Sequence, residues 1–205
     1  MSRSSPVTTV ALFGTSADPP HQGHLGVLTW LGQHFDQVAV WASDNPFKGN
    51  QSPLADRMAM LRLLVDAIRP PGRVQVYPEL SHRFTLVTLE RAQQIWPQAT
   101  FTLVVGADLI PQLPRWHRAS ELFQKVKILA FPRPGYPLDD KDLLPLRQQG
   151  AEVAIATPPQ QYDVSSTAYR QCDDDQAILP AIQTYIDQHN LYPCPDNSKE
   201  KLPTH

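Results

Sequence analysis

The sequence predicts an α/β protein of the Rossmann-like, doubly wound type, with a mostly parallel sheet of about six strands and helices on both faces. Short apolar runs alternate along the chain with longer segments of helical period, which is typical of parallel strands joined by helices. The 205 residues, 41% of them hydrophobic, suffice for one such core. We therefore predict a single domain over residues 1–192. The polar, proline-interrupted residues 193–205 predict a disordered tail.

Each element follows from local patterning. Six short runs rich in apolar and β-branched residues predict strands at residues 8–13, 37–42, 74–77, 101–105, 127–131 and 152–156. Apolar spacings of three and four predict helices at residues 23–34, 53–68, 85–96, 119–123, 138–149 and 178–189. Right-handed crossovers bring the carboxyl ends of parallel strands to one edge of the sheet. Ligand-binding residues should therefore follow the strands.

Charge and composition exclude several classes of partner. Eighteen Lys and Arg against 20 Asp and Glu give a net charge of −2, which argues against nucleic acids and acidic lipid surfaces. The apolar runs are too short to span a membrane, and no signal peptide is evident, so we expect a cytoplasmic protein. Cys172 and Cys194 lack the spacing of a zinc site. The oligomeric state, a homo-oligomer included, is left open.

The segment FGTSADPPHQGHLGVL, residues 13–28, follows the first predicted strand and carries the strongest indication of function. Gly14 is expected to end that strand, and His21 and His24 lie three residues apart where a helix begins. Residues three apart on a helix share a face, and the N–H groups at a helix start attract anions. The pair therefore predicts a phosphate site, although a lone histidine here is more often a surface or capping residue.

A second segment, VSSTAYR at residues 164–170, follows the sixth predicted strand. Ser165, Ser166 and Thr167 offer hydroxyl and amide groups at the start of a short helix, and Arg170 follows about one turn later. Alone, this composition is also typical of a helix cap. Its occurrence after the two-histidine segment, in the same chain, favours a polyanion site.

The two segments resemble the H-x-G-H and I-S-S-T-x-I-R signatures of the nucleotidylyltransferase superfamily. Within it the chain looks most like the bacterial nicotinate mononucleotide adenylyltransferase family, which usually begins G-G-T-F-D-P-x-H-x-G-H. Thr15, Ser16 and Ala17 stand where that family has Gly, Thr and Phe. The resemblance implies a nucleotidyltransferase domain that transfers the adenylyl group of ATP to nicotinate mononucleotide. The products would be deamido-NAD and pyrophosphate, in NAD biosynthesis.

The resemblance also implies roles for individual residues. The catalytic residues would be His21, His24, Lys48 and Arg170. The residues that bind ATP and its phosphates would be Gly14, Thr15, Ser16, Asp18, Gly106, Asp108, Ser165, Ser166 and Thr167. Lys48 is assigned because ASDNPFKGN, residues 42–50, is similar to the P-N-x-x-P-x-K segment of the family. Mg²⁺ would accompany ATP and be held mainly through phosphates, without a protein metal site.

Two further segments bear on the acceptor. GADLIPQLPRWH, residues 106–117, resembles the G-A-D-x-x-x-x-L-P-x-W segment of the family, in which Asp108 would bind ribose hydroxyls. Trp116 would stack on the pyridine ring, and Thr85 would line the same pocket. Unaided, an aspartate there is as often a helix cap, and a tryptophan is more often part of the core.

The match to the family is weakest near Thr85. HRFTLVTLE, residues 82–90, has Phe84 and Val87 where the Y-T-x-D-T segment of the family has Tyr and Asp. The preference between nicotinate and nicotinamide mononucleotide is therefore left open, as is closure of loop 44–52. Another phosphate acceptor, such as phosphopantetheine, and a non-catalytic nucleotide-binding relative are the alternatives. A redox Rossmann protein would need the G-x-G-x-x-G fingerprint, which the sequence lacks.

Overall fold

The computed structural model of the protein describes residues 8–44, 49, 51–158, 164–171 and 177–193. Lys48, Cys172, Cys194 and residues 194–205 of the predicted tail lie outside the described residues. All structural statements below concern the described part of the chain.

Six parallel strands form one sheet, in the order β3-β2-β1-β4-β5-β6. They are β1 (Thr9–Thr15), β2 (Gln37–Ala42), β3 (Val74–Val76), β4 (Thr100–Gly106), β5 (Lys127–Phe131) and β6 (Glu152–Ile155). The predicted fold class is confirmed, and every sheet pairing is parallel. Consecutive residues of β1, from Val10 to Leu12, are fully buried, because helices cover the sheet on both faces.

Seven α-helices are described. They are α1 (Gln22–His34), α2 (Leu54–Asp66), α3 (Thr85–Ile95), α4 (Ala119–Lys125), α5 (Asp140–Gln148), α6 (Ser166–Arg170) and α7 (Pro180–Gln188). Their ends differ from the predicted ones by a few residues at most. For example, α5 begins at Asp140, because the Asp139 carboxylate accepts a hydrogen bond from the Lys141 N–H at 2.7 Å and caps the helix.

Two 3₁₀ helices, Pro78–Leu80 and Ala107–Arg115, were not predicted. The longer one contains Pro111 and Pro114, which lack the N–H that an α-helix needs. Ala107, Ile110 and Leu113 are buried, and their spacing of three matches the three residues per turn of a 3₁₀ helix. This segment carries the chain away from the end of β4.

One expectation about β1 was wrong. Gly14 does not end the strand, which continues to Thr15, and Gly14 pairs in register with Trp41 of β2. A Cβ atom on Gly14 would lie 2.8 Å from the Trp41 ring. Packing against that indole therefore requires glycine at this position, independently of any ligand.

The strand order creates a crevice at the sheet edge. β1 and β4 are neighbours, yet the chain leaves β1 toward β2 on one side and β4 toward β5 on the other. In open parallel sheets, ligands bind outside the carboxyl ends of the strands at such a reversal. Among the described residues, no helix is both long enough and apolar enough to cross a lipid bilayer.

Candidate active site

Two histidines cap the start of α1 reciprocally. His21 precedes the helix in an extended conformation, and its Nδ1 accepts a hydrogen bond from the Gly23 N–H at 3.1 Å. The Nδ1 atom of His24 accepts one from the His21 N–H at 3.2 Å. Because each Nδ1 is an acceptor, each neutral ring carries its proton on Nε2. The capping bonds therefore determine the tautomer of both imidazoles.

The two imidazoles lie side by side, with their ring centroids 3.9 Å apart. The Nε2 atom of His24 is 2.8 Å from the Thr15 Oγ1 and donates to it in this tautomer. Burial, together with a smaller contribution from the Arg133 guanidinium, lowers the pKa of His21 to about 4. Burial also holds the pKa of His24 well below its usual value, with smaller contributions from His21 and Arg133. Both rings are thus neutral hydrogen-bond donors at pH 7.

Gly23 has a packing role in this arrangement. A Cβ atom at Gly23 would lie 2.9 Å from the Cε1 atom of His21 and 3.2 Å from the Cγ2 atom of Val164. Any other residue would push away either the His21 ring or the segment that leads into α6. Gly23 therefore allows the start of α1, the His21 ring and the segment before α6 to pack together.

The α6 segment is attached to the β1–α1 loop. The Ser166 hydroxyl donates to the Pro19 carbonyl at 2.8 Å, and Ser165 caps α6 through its side chain. The Arg170 guanidinium donates to the Asp18 carbonyl and lies 3.9 Å from the Asp18 carboxylate. The two segments singled out in the sequence therefore meet directly. Thr167 lies on the same helix, with its hydroxyl 3.4 Å from the Arg170 guanidinium.

A buried arginine supports the loops around this site. Arg57 is 3% exposed, and its guanidinium donates to the carbonyl oxygens of Ser16, Ser43 and Ser52 at 2.8–2.9 Å. Ser16 follows β1, whereas Ser43 and Ser52 lie at the two ends of the loop between β2 and α2, so one side chain joins two loops. Burial lowers the pKa of Arg57, while Asp18 opposes that shift.

Gly106, Asp108 and Arg133 lie at the ends of β4 and β5. The Arg133 guanidinium is 3.3 Å from the Asp108 carboxylate, and a Cβ atom on Gly106 would overlap that carboxylate. Because Arg133 also lowers the pKa of both histidines, its charge reaches the imidazole pair. The sequence analysis missed Arg133. Its position directly after a buried strand is the feature that could have indicated it.

The two residues expected at a pyridine ring, Thr85 and Trp116, lie in a second cluster. Thr85 is the first residue of α3, and half-buried Trp116 follows the long 3₁₀ helix. Their chain neighbours Phe84 and His117 stack, with ring centroids 4.4 Å apart and an interplanar angle of 30°. The Arg83 guanidinium lies 4.8 Å from the centre of the Phe84 ring. The stacking brings the start of α3 and the Trp116 loop together.

Metal-binding side chains do not gather in the described part of the chain. No three His, Cys, Asp or Glu residues there are placed to hold a metal ion together. Asp18 and Asp108, the two carboxylates singled out by the sequence motifs, are each paired with an arginine.

Comparison with known proteins agrees with this geometry. The family model described as cytidylyltransferase-like matches residues 12–172. The chain belongs to this family. A relative from Synechocystis sp., named "Probable nicotinate-nucleotide adenylyltransferase", is 47% identical over 201 residues, covering 89% of this chain and 98% of the relative. A relative of the same name from Gemmatimonas aurantiaca is 32% identical, covering 89% and 92%. The predicted family resemblance is confirmed.

The fold is also found in a solved structure. The structure of the Plasmodium falciparum nicotinic acid mononucleotide adenylyltransferase complexed with NaAD aligns with a TM-score of 0.78 and 18% sequence identity. The alignment covers 90% of this chain and 97% of that one. Because the identity is low, this likeness supports the Rossmann-like architecture, while the curated relatives support the family.

Proposed function

We propose that the protein is a nicotinate-nucleotide adenylyltransferase. It transfers the adenylyl group of ATP to nicotinate mononucleotide and releases deamido-NAD and pyrophosphate, a step of NAD biosynthesis. The observation that carries the proposal is the joining of the neutral His21–His24 pair to the Arg170 helix at the carboxyl end of β1. The names of the curated relatives support the same reaction.

The chemistry requires positioning more than proton transfer. A phosphate oxygen of the acceptor attacks the α-phosphorus of ATP, the bond to the β-phosphate breaks, and pyrophosphate leaves. Phosphate oxygens are nucleophilic at neutral pH without a general base. Catalysis then depends on alignment and on donors fixed in advance toward the developing charge. Neutral imidazoles with Nε2–H groups fit this role, because they donate without having to be protonated.

The phosphates would be distributed over the polar groups at the two joined segments. In this proposal His21 and His24 bind the reacting phosphate, and Lys48 and Arg170 neutralise the pyrophosphate. The start of α6 binds its terminal oxygens through Ser165, Ser166 and Thr167. The loop residues Gly14, Thr15, Ser16 and Asp18 surround the phosphates.

The adenosine would lie toward the end of β4. Asp108 accepts hydrogen bonds from the ribose hydroxyls beside Gly106, and its ion pair with Arg133 holds the carboxylate in place. Arg133, which also acts on the imidazoles, adds a positive charge between the ribose and the phosphates.

Mg²⁺ would enter with ATP as part of the substrate. The ion prefers oxygen ligands, keeps several waters and is commonly held by phosphates with few protein groups. The residues fit this arrangement, because Asp18 and Asp108 are each engaged by an arginine. The protein then contributes cations and N–H donors around the metal-bound phosphates.

The acceptor ring would bind at the second cluster. Trp116 supplies an aromatic face and Thr85 a hydroxyl at the start of α3, close to the stacked Phe84 and His117 rings. The positive end of a helix and the Arg83 guanidinium both favour an acceptor with a carboxylate.

Product analysis tests the proposal. The protein is incubated with ATP, Mg²⁺ and, separately, nicotinate or nicotinamide mononucleotide, and the dinucleotide and pyrophosphate are quantified. We expect faster dinucleotide formation from nicotinate mononucleotide. Equal rates would remove the preference for the acid. No dinucleotide from either compound would refute the pyridine acceptor and favour another phosphate acceptor or a non-catalytic role.

A further inference from the structure

Tyr192 lies far along the chain from the signature segments, after α7, yet its hydroxyl reaches the β1–α1 loop. Its oxygen is 2.6 Å from the Oδ1 atom of Asp18, to which it donates. The backbone of Tyr192 has a φ of 53°, in the left-handed region that a bulky residue rarely adopts. The surrounding contacts must therefore hold this residue in place.

Asp18 is 2% exposed, so its oxygen atoms depend on protein donors. Oδ1 accepts from the Tyr192 hydroxyl and, at 3.3 Å, from the Ser52 N–H. Oδ2 lies 3.9 Å from the Arg170 guanidinium, which also donates to the Asp18 carbonyl. Asp18 thus joins the C-terminal segment to the arginine proposed to act on pyrophosphate.

Tyr192 also contacts the helix that carries Arg170. Its ring meets the Tyr169 ring edge-on, with centroids 6.1 Å apart, and Tyr169 directly precedes Arg170. Burial and the hydrogen bond to Asp18 raise the pKa of Tyr192, so its hydroxyl remains protonated and continues to donate. Tyr192 therefore contacts both the Asp18 carboxylate and the helix that carries Arg170.

We infer that Tyr192 is a positioning residue for the transfer reaction: its hydroxyl holds the Asp18 carboxylate, and through it the Arg170 guanidinium, in the geometry that receives the leaving pyrophosphate. This inference rests on the proposed function. Without the hydroxyl, the buried Oδ1 atom keeps, among the described residues, the longer bond from the Ser52 N–H, and the carboxylate turns toward Arg170 for compensation. A guanidinium displaced in this way stabilises the transition state less well.

The chain contains a matched control. The Tyr185 hydroxyl donates to the Asp56 carboxylate at 2.9 Å, joining α7 to α2. Tyr185→Phe removes the same group from the same kind of bond, also in the C-terminal part of the chain. Within the described part of the chain, Asp56 forms no hydrogen bond or ion pair with Asp18 or Arg170, so this variant reports the structural cost alone.

The experiment compares Tyr192→Phe, Tyr185→Phe and the wild type in unfolding by urea and in steady-state turnover with ATP, Mg²⁺ and nicotinate mononucleotide. We expect both variants to unfold at similarly lowered urea concentrations. Only Tyr192→Phe should lose kcat, by roughly tenfold, with the KM for ATP little changed, because the lost contact acts on the leaving group. Equal kcat for the two variants, or a change in KM alone, would overturn the inference.

A double-mutant cycle with Arg170→Lys gives a second measurement. If Tyr192 acts through Arg170, Tyr192→Phe should lower kcat by less than about twofold when Arg170 is already replaced. If the fold-losses in kcat of the two single variants multiply in the double variant, the inference is contradicted, while the proposed function stands. If the wild type forms no dinucleotide in the same assay, the proposed function fails, and this inference with it.

Discussion

The two ends of the proposed site are built in different ways. At the phosphate end, comprising Asp18, His21, His24 and Arg170, side chains are held by hydrogen bonds to the backbone and by the Asp18–Arg170 ion pair. At the acceptor end, comprising Phe84, Thr85, Trp116 and His117, side chains are half-buried or exposed, and ring stacking joins the segments.

This difference fits what each end is proposed to recognise. Stabilising a developing charge requires donors that are already oriented, because reorienting them during the reaction costs free energy. A flat aromatic ring needs mainly a flat surface, which several aromatic residues can provide. The sequence keeps the family's two histidines at His21 and His24, although residues 15–17 of the same segment depart from the signature, and it departs again at Phe84 and Val87.

The largest expected effect is at the phosphate end. In His24→Asn, the asparagine oxygen can replace Nδ1 as acceptor from the His21 N–H, but no group replaces the Nε2–H donor. We expect kcat/KM to fall by roughly 100- to 1000-fold, the typical loss when one charge-stabilising donor is removed. Steady-state kinetics of dinucleotide formation measures it. His24→Ala should lose as much activity and also some stability, because it lacks the capping acceptor.

Near-wild-type activity in a folded His24→Asn protein would show that the oriented Nε2–H donor is dispensable. It would contradict the proposed difference between the two ends. Equal stability of His24→Asn and His24→Ala would contradict the capping role of Nδ1.

A second expected effect concerns stability against acid. His21 has a pKa of about 4 in the folded protein, below the ordinary value of 6.5, so the unfolded chain binds its proton more tightly. The stabilisation from neutral His21 is therefore fully present above pH 6.5 and is lost as the pH falls toward 4. The free energy of unfolding should decrease by up to about 1.4 kcal/mol per pH unit in this window from His21 alone. The buried His24 adds in the same direction.

Urea unfolding at a series of pH values measures this dependence. His21→Asn, which retains an acceptor for the Gly23 N–H, should flatten the slope between pH 6.5 and 4.5. His34→Asn, which removes an exposed imidazole at the other end of α1, is the control variant. An unchanged slope in His21→Asn would show that this imidazole is not held neutral by the fold.

The smallest expected effect is at the acceptor end. Trp116→Ala should raise the KM for nicotinate mononucleotide about tenfold, within the range for loss of one stacking face, and leave the KM for ATP nearly unchanged. Trp116→Phe, which keeps an aromatic face, should recover most of the loss. Initial rates with each substrate varied separately distinguish the two constants. A selective rise in the KM for ATP would mean that Trp116 belongs to the nucleotide side and that the two ends have been assigned wrongly.

The local elements were predictable because their patterns repeat over many residues. All six strands occur where short runs of apolar and β-branched residues predicted them. Six helices begin and end within a few residues of the predicted positions. The 3₁₀ helix Ala107–Arg115 was not predicted, although its apolar spacing of three was visible, and its two prolines are incompatible with an α-helix there. The end of β1 was misplaced because Gly14 was interpreted as a strand terminator, whereas it makes room for Trp41.

The sequence by itself determined the fold class, the two signature segments and the family, since periodicity and closely spaced motifs are local properties of the chain. Only the tertiary structure decided which side chains act on one another. Arg133 lowers the pKa of both histidines, Arg57 joins the β1–α1 loop to both ends of the β2–α2 loop, and Tyr192 donates to Asp18 across 174 positions of the chain. Such contacts arise from the packing of distant segments around buried polar groups, each of which must find a partner wherever the fold supplies one.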